Sequence, residues 1–183
     1  VTAESMQHRG RIIKVDKNGF LFCRKGELEI VVDGKTFLVR ENCIFVYLPM
    51  SEMYVHRISP DLSGVVGMAD FSFVYSSLRI VASTYNYLYV KDNPCVALSP
   101  EGRESVEEMI TAIRRREDMI SDPVMSRMVS SLAMALCYQI MHEYFSATPA
   151  SPMNQDRNDI VFRNFMQALH SEKPRSREVS HYA

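Results

Sequence analysis

The stretch Glu27-Leu-Glu-Ile-Val-Val32, Asp33-Gly34, Lys35-Thr-Phe-Leu-Val39 reads as two strands around a two-residue turn. Asp-Gly between alternating runs is a strong hairpin signal, because a type I′ turn needs positive φ at both central positions. Working outward, Phe20-Leu-Phe-Cys23 and Arg24-Lys-Gly26 precede it. Cys43-Ile-Phe-Val-Tyr-Leu48 follows and stops at Pro49, then Met53-Tyr-Val-His-Arg-Ile58 stops at Ser59-Pro60, then Gly64-Val-Val-Gly-Met-Ala-Asp-Phe71. Arg11-Ile-Ile-Lys-Val15 can supply one more strand. Short strands at this spacing, with turn signals between them, predict a sandwich or barrel.

Past Asn93 the chain changes character from β-like to helix-like runs, which predicts an α+β arrangement. Between the two, the Tyr-rich region Phe71 to Tyr89 reads either as a helix followed by an extended return or as a further strand. Ser99-Pro100-Glu101 is a helix start: Ser caps, Pro pre-sets φ and Glu suits the positive end. Val106, Met109, Ile110, Ile113 and Ile120 form its apolar face, and Arg114 to Arg116 sit at the far end among Glu107, Glu108, Glu117 and Asp118, as a solvated terminus does. Asp122-Pro123 repeats the signal, and the helix after it runs to about Phe145. Its stripe Met125, Met128, Val129, Leu132, Leu136, Ile140 and Tyr144 suits either a core or an interface with a second chain. The run from Ser146 to Gln155 is small and Pro-rich, a linker by composition.

The chain has 183 residues, 46% of them hydrophobic, enough for one core and an appendage, and a net charge of -1. That charge gives no overall footprint for nucleic acid or a lipid surface. Cys23, Cys43, Cys95 and Cys137 are spread out, with no C-x-x-C pair and no clustered His, so neither a metal, a cofactor nor a disulfide framework is signalled. No uninterrupted apolar run reaches membrane length and no signal layout opens the chain, so a cytoplasmic protein without a membrane partner is expected. No Gly-rich phosphate loop or nucleophile elbow occurs, which points away from an enzyme. Tyr47, Tyr54 and His56 are candidates for polar groups aimed into an interior pocket, with Cys23 and Met68 as soft apolar lining. Each is equally an ordinary strand residue, since strand parity shifts by one at a bulge.

The last stretch, Asp159 to Ala183, places Val161, Phe162, Phe165, Met166 and Leu169 on one helix face, ends it at Pro174, and opens a second helix at Ser176. The second stops within one or two turns, so the sequence is expected to be cut inside a further domain. The pattern Phe162-x-x-Phe165-x-x-x-Leu169, a Lys/Pro/Arg linker, then Arg177-Glu178-Val179-Ser180-x-Tyr182-Ala183 resembles the entry to the DNA-binding domain of AraC-type transcriptional regulators. No recognition helix follows, so DNA binding is implied only through a missing C-terminal domain and no residue here is assigned to it. The resemblance implies a cupin-like antiparallel β-barrel over residues 1–93 that senses a small-molecule effector. It further implies a dimerising helical hairpin over 94–146, a linker over 147–158 and the start of the DNA-binding domain over 159–183. Met125, Met128, Leu132, Leu136 and Ile140 are then the homodimer candidates. Two alternatives are weaker. A cupin enzyme needs several metal-binding His, and His56 stands alone between His8 and His142. A cyclic-nucleotide sensor needs a phosphate-gripping Arg downstream of a Gly-Glu pair, and Gly26-Glu27 has none in the expected setting.

Overall fold

The computed structural model describes residues 1–6, 11–70, 73–74 and 89–146. Two four-stranded antiparallel sheets and two long helices dominate these residues, the α+β arrangement expected. The first sheet runs in the order β1 (Ile13–Lys14), β6 (Glu52–Ile58), β3 (Glu27–Val32) and β4 (Lys35–Arg40). The second runs β7 (Ser63–Ala69), β2 (Asn18–Lys25), β5 (Cys43–Tyr47) and β8 (Cys95–Ala97). The β3–β4 hairpin closes through Asp33 and Gly34 at φ 48° and 81°, the double positive φ that the turn requires.

Other neighbouring strands alternate between the sheets up to β7, and this crossing shapes the fold. Residues with positive φ stand at three of the corners: Gly26, Asn42 and Met50. At Gly26, φ is 78° and an added Cβ would lie 2.3 Å from the Ser59 hydroxyl, so only glycine fits the passage from β2 into β3. The closed barrel is therefore corrected: among the described residues no hydrogen-bonded strand pair joins the two sheets, and each sheet keeps two edges. A strand at Cys95–Ala97 also went unread in the sequence. It is too short to show alternation, yet it extends the second sheet into the range assigned to the helical region.

Helix α1 (Pro100–Arg114) starts where Ser99 accepts from the Gly102 amide at 2.9 Å. It ends at Arg114, so Ile120 lies outside its stripe, beyond a short 3-10 turn, and is exposed. Helix α2 (Pro123–Ser146) is capped by Asp122, whose Oδ1 accepts from the Val124 and Met125 amides at 2.7 and 3.1 Å. By length and composition α2 also suffices to cross a membrane, a property that a search for uninterrupted apolar runs misses. Its C-terminal half is nonetheless committed to the protein core.

The second sheet has a core on each face. Toward the first sheet, Leu21, Cys23, Phe45 and Tyr47 meet Leu28, Ile30, Val39, Ile58 and Leu62. Toward the helices, Phe22, Ile44, Val65 and Val96 meet Val106, Ile110, Leu136, Ile140 and Tyr144. Burying a large apolar side chain in either layer stabilises by about 1.5–3 kcal/mol. The predicted linker 147–158, the segment 159–183 and nearly all of the Phe71 to Tyr89 region lie outside the described residues.

Candidate functional site

The five pocket candidates do not converge on one site. Cys23 and Tyr47 do point between the sheets, where both are buried. Tyr47 lies opposite Gly19 in the β2–β5 pairing, and its ring occupies the place of the missing side chain: a Cβ on Gly19 would lie 2.2 Å from the Tyr47 oxygen. The Tyr47 hydroxyl has no hydrogen-bond partner among the described residues, and burial pushes its pKa up to about 12. Phe45 flanks it with ring centroids 6.4 Å apart. One polar oxygen in an otherwise apolar layer is the kind of group that orients a ligand in a mostly apolar pocket.

Met68, Tyr54 and His56 lie elsewhere. Met68 is 69% exposed, which corrects its assignment as pocket lining. Tyr54 sits between Met53 and Val55, which pack toward the interior, so strand alternation turns it to the outer face of the first sheet. A register shift between Glu29 and Ile30 then leaves His56 unpaired in the ladder, with its side chain 62% exposed and its Nε2 3.9 Å from Glu29. This bulge is the parity break that the sequence could not locate.

The interface candidates divide too, along α2. Leu136 and Ile140 are buried in the layer against the second sheet, which removes them from any surface with a second chain. Met125 and Leu132 are half-buried, whereas Met128 is 42% and Val124 71% exposed. In the helical region the apolar surface left open is thus mainly the N-terminal half of α2, with Met119 and Ile120 before it and Tyr138 further along.

What holds α2 in this pose is a buried carboxylate that sequence reading passed over. Glu143 accepts from the Ser99 amide at 3.1 Å and from Gln139 Nε2 at 3.0 Å, at the amino end of α1. A carboxylate is favoured there by the unpaired amides and the helix dipole. Gly102 leaves the room, since a Cβ on it would lie 2.0 Å from Glu143 Oε1. From the next residue of α2, the Tyr144 hydroxyl donates to the Pro94 carbonyl just before β8. Arg24 of β2 grips Glu107 of α1 with two guanidinium nitrogens, Nε at 2.7 Å from Oε1. The sequence signal was present as a Gly in the first turn of a helix, an expensive residue unless something must approach closely. Among the described residues, no group of three or more His, Cys, Asp or Glu is arranged to hold a metal ion.

No protein-family model matches the chain, and no curated protein does. Among solved structures the chain is similar to the crystal structure of the AraC-like transcriptional activator CuxR, at a TM-score of 0.45 and 11% sequence identity. The likeness covers 87% of this chain and 54% of that one, so this chain spans about half of that protein's length. At this level it supplies no residue correspondence.

Proposed function

We propose that the chain is the effector-sensing and dimerising part of an AraC-type transcription regulator, working in the cytoplasm. The observation that carries this reading is a juxtaposition along the chain. A body of two antiparallel sheets leads into α2, which leaves its first apolar turns uncovered, and residues 162–183 then resemble the entry to an AraC-type DNA-binding domain. In this reading Val124 and Met128 meet their counterparts on a second copy, and a small molecule occupies the interior beside Tyr47. An effector that favours one arrangement of body and helices shifts the DNA-binding geometry by its differential affinity.

The test has two arms. The parent protein, extended through the C-terminal domain, should be retained on duplex DNA in a salt-dependent way; no retention at low salt rejects the regulator reading. Sedimentation of the present chain should show a dimer that Met128→Asp converts to monomer. A strict monomer at high concentration rejects the interface. A small-molecule thermal-shift screen, repeated on Tyr47→Phe, then identifies the effector class.

A further inference from the structure

Three of the four cysteines, far apart in sequence, come together on one face of the second sheet. Cys23 on β2 lies directly opposite Cys43 on β5, and Phe45, two residues further, lies opposite Cys95 on β8. Directly opposed residues share a face, so all three thiols project between the sheets, with Cys95 diagonal to Cys43. Cys23 is fully buried, Cys43 and Cys95 are half-buried, and all are free thiols. Opposed Cα atoms in an antiparallel pair lie about 4.5–5.5 Å apart, inside the range of roughly 4.4–6.8 Å that a disulfide spans.

We propose that Cys23 and Cys43 form an oxidation site that closes a cross-strand disulfide when the chain meets a hydroperoxide. Cys43 is the entry point, because it stands at the start of β5 and reaches solvent. Its thiolate attacks the peroxide, the O–O bond breaks, and the far oxygen leaves as water or alcohol, giving a sulfenic acid on Cys43. The Cys23 sulfur then attacks the Cys43 sulfur. The S–O bond breaks and its oxygen leaves as water with the Cys23 proton, so two thiols lose two electrons to one peroxide. The Cys23 thiol donates to the carbonyls of Lys25 and Gly26 at 3.4 Å each, contacts that it gives up when the sulfur–sulfur bond forms. Burial pushes that thiol up to about 11, so closure speeds up as pH rises. Cys95 is the competing partner, disfavoured because the diagonal distance exceeds the direct one. The disulfide forms whether or not the chain regulates transcription.

The experiment exposes the full chain to excess hydrogen peroxide, blocks remaining thiols by alkylation and maps the peptides. Two of the four thiols should disappear into a Cys23–Cys43 link that a reductant reverses. Cys43→Ser, at a half-buried position, should abolish the link, and Cys95→Ser should leave it intact. A Cys43–Cys95 link, a Cys43 sulfinic acid beside a free Cys23, purely intermolecular links or four untouched thiols would each overturn the assignment. So would loss of the link in Cys95→Ser, or a closure rate that does not rise as pH is raised above neutral.

Discussion

The two faces of the β7-β2-β5-β8 sheet are built by different rules. Toward the first sheet the contacts are apolar side chains and thiols, and the lone phenol of Tyr47 finds no partner among the described residues. Toward the helices an equally apolar layer is pinned by directed polar contacts: Glu143 at the α1 cap, Tyr144 on the Pro94 carbonyl, and Arg24 on Glu107. Apolar packing is non-directional, so it holds the sheets together while tolerating changes of shape. Directed hydrogen bonds fix one pose, because breaking any of them strands a desolvated group. The helices are therefore held in a defined register on the body, whereas the sandwich interior rests on non-directional packing.

The contrast can be broken by experiment, most forcefully with aromatic truncation. Phe22→Ala removes the helix-side core and Phe45→Ala the sandwich core, and each should cost about 3–5 kcal/mol in urea unfolding. Hydrogen exchange separates them: Phe22→Ala should loosen α1 and α2, whereas Phe45→Ala should loosen both sheets. Equal loosening everywhere would mean that the two layers are one cooperative core.

Alkaline unfolding comes next. Burial, with Cys43 adding, pushes Cys23 from 9.0 to about 11 and Cys95 to about 12, and burial alone pushes Tyr47 from 10.0 to about 12. These groups stay protonated in the folded chain while the unfolded chain releases their protons, so stability falls with rising pH. The loss begins near pH 9 and is complete near pH 12, at up to about 1.4 kcal/mol per pH unit for each group within its own window. Since these three groups all face the first sheet, Cys95→Ala should flatten the profile visibly; an unchanged profile would deny that its thiol is buried there.

Gly102→Ala sharpens the other side of the comparison. Alanine in an exposed helix would gain about 1 kcal/mol over glycine. Here the new methyl displaces the Glu143 carboxylate, and the variant should instead lose about 2 kcal/mol. A stabilised variant would remove Glu143 from the cap. The smallest effect is also the most discriminating. Tyr144→Phe should cost about 1 kcal/mol for its hydrogen bond to Pro94, whereas Tyr47→Phe should cost nothing measurable. If the two tyrosines respond alike, the two faces are not built differently.

Local chemistry made much of the fold legible. Asp33-Gly34 announced its hairpin because so few residues accept positive φ twice in succession, and Ser99-Pro100 and Asp122-Pro123 marked both helix starts because orphan amides demand a cap. Seven strands were readable from their turn residues, yet β8 was not, since three residues cannot display a period. Within the candidate site the reading was poorer. Met68 and His56 have the residue types of a pocket but are exposed: a bulge in β6 turns His56 outward, whereas Met68 keeps the inner parity of Val66 and lies uncovered near the end of the edge strand β7.

By itself, then, the sequence determined the strands, the helices, their caps and the amphipathic stripe of α2, all of which depend on residues within a few positions of each other. Only the tertiary structure decided that the strands form two open sheets, that Leu136 and Ile140 are core while Met128 is surface, and that Glu143 caps a helix begun more than forty residues earlier. It alone brought Cys23, Cys43 and Cys95 onto one face. The physical reason is common to all of these: which side of an element is buried, and which distant residue it meets, depends on register and layer packing between segments, and no local periodicity encodes that choice.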